Sequence, residues 1–323
     1  MSRILVTGGS GFIGTNLVQH FSDRGDTVLN LDIAPPRNRA HEHLWRKVDL
    51  LDKDGLETTV RDFDPEYVVH LAGRTDLRGK SVTDYAANTT GVANLMEALD
   101  GLQSLQRAIF ASSMLVCKIG HRPSADTDYC PSTAYGESKV VGEKIVRERA
   151  PNAYPWVIVR PTSIWGPWFG APYRDFFVAV RKGRYLHPKG CDVRRSYGFV
   201  GNTVVQLGGL LSCAPERVHS KMLYLADYEP VHLKQWADWI GRAFGARKVY
   251  EAPLGLLRAA AKVGDAIAGI VPFTPPLTTF RLNNMLTNAV FDFRDLSAVC
   301  PALPYTAEQG VALTVQWMKQ AHV

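Results

Sequence analysis

The residues that most restrict this chain are its first thirty-two, RILVTGGSGFIGTNLVQHFSDRGDTVLNLD after the opening Met-Ser. Ile4, Leu5 and Val6 form a short apolar run suited to a strand buried on both faces. Thr7-Gly8-Gly9-Ser10-Gly11 turns the chain, and Phe12 to Phe21 carries Ile13, Leu17, Val18 and Phe21 at helical spacing. Gly25 and Asp26 end that helix, and Val28, Leu29 and Leu31 make a second strand closing on Asp32. Gly9, Gly11 and Gly14 satisfy G-x-G-x-x-G, and Gly8 loosens the turn further.

Strand, glycine turn, helix, strand and acid is the order a bound dinucleotide requires. Glycine lets the backbone approach a pyrophosphate, and the helix start offers unpaired N–H groups and a positive dipole end. Asp32, about 20 residues after the motif, can accept both ribose hydroxyls. Gly8, Gly11, Phe12, Ile13, Gly14 and Asp32 are therefore candidate cofactor contacts. The carboxylate repels a 2′-phosphate, which favours NAD over NADP. Arg37 and Arg39 follow Pro35-Pro36 in a loop and read as solvated charge. In a chain with 27 glycines the fingerprint alone would fit a turn in an unrelated α/β fold; the flanking elements are what give it weight.

The same rhythm continues. Strands are expected at Leu44–Val48, followed by Asp49-Leu50, and at Tyr67–Leu71, followed by Ala72-Gly73. Two more are expected at Ala108–Ser112, leading into Ser113, and at Val157–Arg160, followed by Pro161. Helices are expected at about Asp54–Phe63, at Val82–Leu99 around Asn88, and from a Ser132 cap to about Arg149. This alternation predicts an α/β fold built on a doubly wound parallel sheet. After Pro161 the rhythm breaks. Helices are expected near Arg174–Arg181, Asn202–Leu211, Leu233–Phe244 and Ala307–Gln320, and a strand at Met222–Ala226. The pattern predicts a Rossmann domain over 1–162, with 196–244 partly returning to it, helix 233–244 included. A smaller, discontinuous substrate lobe takes 163–195 and 245–323.

Charge narrows the partners. The net charge of +6 is scattered, with no basic run and no aromatic-basic interleaving, which excludes nucleic acid and admits an anionic small molecule. Five cysteines lack metal-type spacing, so no metal is expected; free thiols in a reducing, cytoplasmic compartment are. A strand beginning at residue 3 leaves no room for a signal peptide. No stretch reads as a membrane span. The nearest, Leu254 to Val271, is interrupted by Arg258, Lys262 and Asp265 on one narrow polar stripe. An interfacial helix would have that pattern, as would one packed on its own domain or on a partner, the simpler reading.

Tyr135-Gly-Glu-Ser-Lys139 carries the chemistry. On a helix, i and i+4 share a face. A phenol is a poor base at neutral pH, and a nearby ammonium favours its phenolate. Tyr135 can then take a proton from an alcohol as hydride leaves the carbon, or return it. Ser113, after the fifth strand, can hydrogen-bond the same oxygen. The bland alternative, a surface Tyr/Lys pair, does not account for its place behind a nucleotide fingerprint and a strand-end serine.

In this order the motifs resemble an extended short-chain dehydrogenase/reductase of the NAD-dependent epimerase/dehydratase group, nearly end to end. Thr7 to Gly14 is similar to its opening motif, Asp49-Leu50 to its adenine-contacting pair, and His70-Leu71-Ala72-Gly73 to its fourth-strand motif. Asn88 to Asn94 is similar to its N-x-x-G-x-x-N helix; Ser112-Ser113, Tyr135/Lys139 and Arg160-Pro161-Thr162-Ser163 follow, and Pro304 to Met318 resembles its last helix. The resemblance implies Ser113, Tyr135 and Lys139 as catalytic residues. It adds Asp49, Leu50, Leu71, Ala72, Gly73, Asn88, Ser112, Pro161, Thr162 and Ser163 to the cofactor side. It implies Arg195, and more loosely Arg281, as ligands of a nucleotide-diphosphate sugar, and a homodimer through the helices bearing Asn88 and Tyr135.

Departures matter. Met114-Leu115 stand where sugar-nucleotide 4,6-dehydratases carry Asp-Glu, and two apolar residues cannot eliminate water. The usual Val-Tyr-Gly reads Val116-Cys117-Lys118, and the usual Asn after Arg-Pro-Thr is Ser163. The expectation is an NAD-dependent sugar-nucleotide epimerase or keto-sugar oxidoreductase. The first alternative is a hydroxysteroid- or terpenoid-type dehydrogenase. The second is a non-catalytic NAD sensor, which has no need of Ser113, Tyr135 and Lys139 in these places.

Overall fold

The computed structural model describes residues 1–149, 154–245, 248–268 and 277–323. The chain forms two compact units. The first comprises 1–169, 198–228 and 292–304; the second comprises 170–197, 229–291 and 305–323.

The first unit holds a seven-stranded sheet: β1 (Arg3–Thr7), β2 (Thr27–Asp32), β3 (Trp45–Lys47), β4 (Tyr67–His70), β5 (Arg107–Ala111), β6 (Trp156–Pro161) and β7 (Lys221–Leu225). The order across it is β7-β6-β5-β4-β1-β2-β3. Every pairing is parallel. The chain reverses its direction of winding between β1 and β4, and their carboxyl ends form the crevice where such sheets take ligands. The expected doubly wound parallel fold is therefore the one found.

Helices cover both faces, as an all-parallel sheet demands. On one, α2 (Lys53–Phe63), α3 (Thr90–Leu99) and α4 (Ala134–Arg149) bring Leu56, Val60, Leu95, Leu99 and Val146 onto Leu5, Val68, Phe110 and Ile158. Strand residues alternate in direction, so Ile4, Val6, Val69, Ile109 and Val159 turn the other way, and they too are buried. That side carries α1 (Phe12–Asp23) and α6 (Val200–Ser212), which contact one another at Gly208. A Cβ on Gly208 would already lie 3.4 Å from the His20 ring. Arg107 is buried at the end of α6, donating to the carbonyls of Leu210 and Cys213.

The second unit gathers α5 (Tyr173–Arg181), α7 (Leu233–Phe244), α8 (Leu254–Ala268), α9 (Thr279–Leu286) and α11 (Ala307–Gln320). Trp236 of α7 anchors it, stacked on Phe176 at 4.9 Å and met by Tyr197 at 4.6 Å. Among the described residues no helix is long and apolar enough to cross a membrane. All five cysteines carry free thiols.

Four expectations need correction. Helix 233–244 does not return to the main sheet: α7 packs on α5 and α11, where its aromatic face finds a core. α10 (Arg294–Val299), expected in the smaller lobe, belongs to the first unit against α6 and β7. The long helix 82–99 is broken into a 3₁₀ stretch, Val82–Asn88, and α3, because Tyr85 and Asn88 are drawn into bonds with the loop after β4. The cap of α4 is Thr133, whose Oγ1 accepts the Gly136 N–H at 3.0 Å, not Ser132. The last part of the apolar stretch 254–271 lies outside the described residues.

His70 gives the fold a pH dependence. It is 1% exposed at the end of β4, with Nδ1 2.7 Å from Thr7 Oγ1. Burial, helped by the Lys139 charge, pushes its pKa from 6.5 down to about 3. Between those values the unfolded chain holds a proton that the folded chain does not, so stability falls as pH drops from 6.5, by up to ~1.4 kcal/mol per unit. Urea unfolding midpoints measured from pH 7 to 5 should decline, and His70→Asn should flatten that slope.

Candidate active site

The glycine turn is shaped by close approach. Gly8 has φ +74°, and a Cβ there would sit 2.5 Å from the Ala72 nitrogen at the end of β4. A Cβ on Gly14 would sit 2.2 Å from the Gly8 carbonyl oxygen. Gly11 caps α1 without a side-chain hydrogen bond, so the first-turn N–H groups at Phe12 and Ile13 face outward from a helix start. A cradle of bare backbone at a helix N-terminus fits a pyrophosphate.

Asp32 ends β2 next to this turn. Its carboxylate accepts the Ser10 N–H at 3.1 Å and the Ala34 N–H at 3.0 Å, which fixes the side chain and leaves lone pairs for ribose hydroxyls. Asp49 is exposed, and Leu50 beside it is buried, its carbonyl held by Asn94 at 2.8 Å. Leu71, Ala72 and Gly73 leave β4 half-buried. Their backbone is fixed from β1: the Leu71 N–H bonds the Thr7 carbonyl at 3.0 Å, and the Ala72 N–H bonds Thr7 Oγ1. Pro161, Thr162 and Ser163 leave β6, with the Thr162 N–H bonded to the Leu225 carbonyl at 3.0 Å.

Ser113, Tyr135 and Lys139 all lie in the first unit, each less than a tenth exposed. Ser113 begins the short turn Met114–Val116, its Oγ accepting the Leu115 N–H at 3.1 Å. That turn lies on the first residues of α4: a Cβ on Gly136 would be 2.3 Å from the Leu115 carbonyl oxygen. Glycine at 136 thus lets Ser113 reach the phenol next to it, and the two side chains hydrogen-bond. Burial raises the Tyr135 phenol above its usual value, while the Ser113 bond lowers it. The expected lowering by Lys139 is not found: burial and the Tyr85 phenol raise Tyr135, and only Ser113 lowers it. The Lys139 ammonium donates instead to the Ala111 carbonyl at 2.9 Å. Desolvation brings Lys139 down to about 8, with Glu143 working the other way.

Asn88 ties the pieces together. Its amide donates to the Arg74 carbonyl at 3.0 Å and to Ser138 Oγ at 2.9 Å, while its oxygen accepts the Arg74 N–H at 2.9 Å. Ser138 in turn donates to the Tyr135 carbonyl. The loop after β4 is therefore pinned to the helix carrying Tyr135 and Lys139.

Sequence reasoning missed the charge pair beneath. Glu143 and Arg160 side chains are 1% and 0% exposed. Arg160 Nε and Nη2 each donate to Glu143 at 2.8 Å, and Glu143 also accepts from Ser112 and Tyr129. The signal was available: positions 135, 139 and 143 repeat the i+4 spacing on one face of α4.

Arg195 and Arg281 belong to the second unit. Arg195 is buried there, donating to the Asn284 carbonyl at the end of α9, while Asn288 and Ala289 bond the neighbouring backbone. Arg281 is exposed in the first turn of α9, its N–H capped by Thr278.

The buried pair should dominate stability near the site. Glu143→Gln leaves the Arg160 charge uncompensated and should lower the unfolding free energy by about 3–5 kcal/mol. A Glu143→Met/Arg160→Met double variant should recover much of that loss in the same urea titration.

The ordered motifs have counterparts in known proteins. Residues 4–201, more than half of the chain, match the NAD dependent epimerase/dehydratase family. The chain is 32% identical over 267 residues to the 3 beta-hydroxysteroid dehydrogenase/Delta 5→4-isomerase of Mycobacterium tuberculosis, covering 76% of this chain and 70% of that one. It is 23% identical over 329 residues to the N-acetyl-alpha-D-glucosaminyl-diphospho-ditrans,octacis-undecaprenol 4-epimerase of Escherichia coli O157:H7, covering 98% and 95%. Its fold is similar to the crystal structure of UDP-glucose 4-epimerase from Thermotoga maritima, with TM-score 0.75, 18% identity, and coverage of 99% and 100%. With its glycine cradle, strand-end serine and Tyr-x-x-x-Lys helix carried on this sheet, the chain belongs to the NAD dependent epimerase/dehydratase family, the extended type of short-chain dehydrogenase/reductase.

Proposed function

We propose that this enzyme epimerises a secondary alcohol on a sugar carried by a nucleotide diphosphate, through a ketone, and retains its cofactor between turnovers. The hydrogen-bonded Ser113–Tyr135 pair, one helical turn from a buried Lys139 whose ammonium lies beside Gly73, carries this reading. NAD, the family's cofactor, supplies the acceptor and donor of hydride. Gly8, Gly11 and the first turn of α1 would hold its pyrophosphate, and Asp32 its adenine ribose.

Tyr135 takes the hydroxyl proton and later returns it. Ser113 donates to the same oxygen and steadies the charge that develops there. Lys139, charged at neutral pH, can reach the nicotinamide ribose. Met114 and Leu115 give no acid or base for removing water, so the keto stage is left to accept hydride again. The reading includes a homodimer through the helices of Asn88 and Tyr135, testable by light scattering. A hydroxysteroid-type dehydrogenase would use the same three residues. The 32% identity to the mycobacterial hydroxysteroid enzyme favours it as the second reading.

The two part on cofactor use. Candidate sugar nucleotides supplied with catalytic NAD should give inverted product with no net NADH; stoichiometric NADH without an epimer would select the dehydrogenase. Tyr135→Phe should remove turnover by at least about 100-fold, the usual contribution of a positioned acid/base, while calorimetric NAD affinity is kept. Asp32→Ala should narrow the preference for NAD over NADP in the same calorimetry. Because Lys139 loses its proton at about 8, NAD affinity should fall as pH rises through that value, and Lys139→Met should remove the pH dependence.

A further inference from the structure

We infer that the second unit docks on an anionic lipid surface through an exposed apolar stripe on α8 and the start of α9. α8 buries Leu257, Ala261 and Gly264. Leu257 and Ala261 pack with Ala252 and Leu282. At 3.6 residues per turn these three occupy one side of the helix. Leu256, Ala259, Ala260, Val263 and Ile267 occupy another, and all are exposed. Leu256 is 61% and Val263 59% exposed, and Phe280 in the first turn of α9 is 73% exposed.

A helix on a water-facing surface usually gives its outer side to charge. Here charge is confined to the strip of Arg258, Lys262 and Asp265. Asp265 is already committed: its carboxylate accepts the Thr279 N–H at 3.0 Å, joining α8 to α9. Arg258 and Lys262 are exposed. The outward side is thus apolar and bordered along one edge by cations, the pattern of a helix lying in the interface of a bilayer. Its apolar residues enter the acyl boundary while the Arg258 and Lys262 stems reach back to phosphates. α8 and α9 together hold three cations, Arg258, Lys262 and Arg281, against the one acid, and the whole chain is at +6. That balance suits an anionic surface. The stripe itself carries no polar side chain that could fix the orientation of a protein partner, whereas a bilayer asks only for apolar area and positive charge.

The full chain would be sedimented with vesicles of equimolar phosphatidylglycerol and phosphatidylcholine, and with vesicles of phosphatidylcholine alone. It should sediment with the anionic vesicles and be released by salt. Val263→Glu should abolish binding with an unchanged far-ultraviolet circular dichroism spectrum. Arg258→Ser and Lys262→Ser should each weaken binding about fivefold. Failure to sediment with anionic vesicles, or equal binding to neutral ones, would overturn the inference. So would a solution dimer that Val263→Glu converts to monomer, because the stripe would then belong to a second copy.

Discussion

The site depends on one close approach: the backbone of the first glycine turn lies directly against the end of β4. No side chain fits between Gly8 and Ala72. Thr7 reinforces the contact, accepting from Leu71 and Ala72 and holding His70. Strands β1 and β4 are where the sheet changes its direction of winding, so this contact sets the shape of the crevice. The cradle, the end of β2 at Asp32 and the backbone at Gly73 all take their positions from it.

A second layer of constraint is electrical. Lys139, Glu143 and Arg160 are all buried, and buried charges are stable only where their hydrogen-bonding capacity is met. Glu143 meets the Arg160 fork and also binds Ser112, the residue before the Ser113 that contacts the phenol. The ion pair therefore joins β6, the exit from β5 and α4. His70 stays neutral beside Lys139 and adds no further positive charge there. The resulting charge order leaves the Tyr135–Lys139 face of α4 organised before any ligand arrives, which is the form electrostatic catalysis takes in an interior of low polarity.

Much of the first unit was legible in the sequence because its strands are short apolar runs separated by helices, a pattern with few alternative arrangements. The glycine spacing, Asp32, Ser113, Tyr135 and Lys139 were legible because each sits at a predictable strand end or helix position. What failed shares a cause. Periodicity tells which side of a helix is apolar but not which core receives it, so α7 was directed to the sheet although its Trp236 meets Phe176 and Tyr197. Tyr85 and Asn88 fit a helical pattern, yet hydrogen bonds to residues 74–79 broke it. Glu143 was passed over because a charge on a helix is ordinarily solvated. Ser132 and Thr133 are chemically equivalent neighbours, and only geometry chooses between them.

The way the chain is shared between the two units bears on its biosynthesis. It passes from one unit to the other five times, at residues 169/170, 197/198, 228/229, 291/292 and 304/305. The first unit is not complete until α10 has been made, nor the second until α11. The second unit cannot be finished ahead of the first, so the nascent protein must carry unsatisfied apolar surface until α10 and α11 have been made. For the same reason a new second unit cannot be acquired by joining one gene segment to another. It has to arise by altering several separate insertions in a framework that keeps its sheet intact.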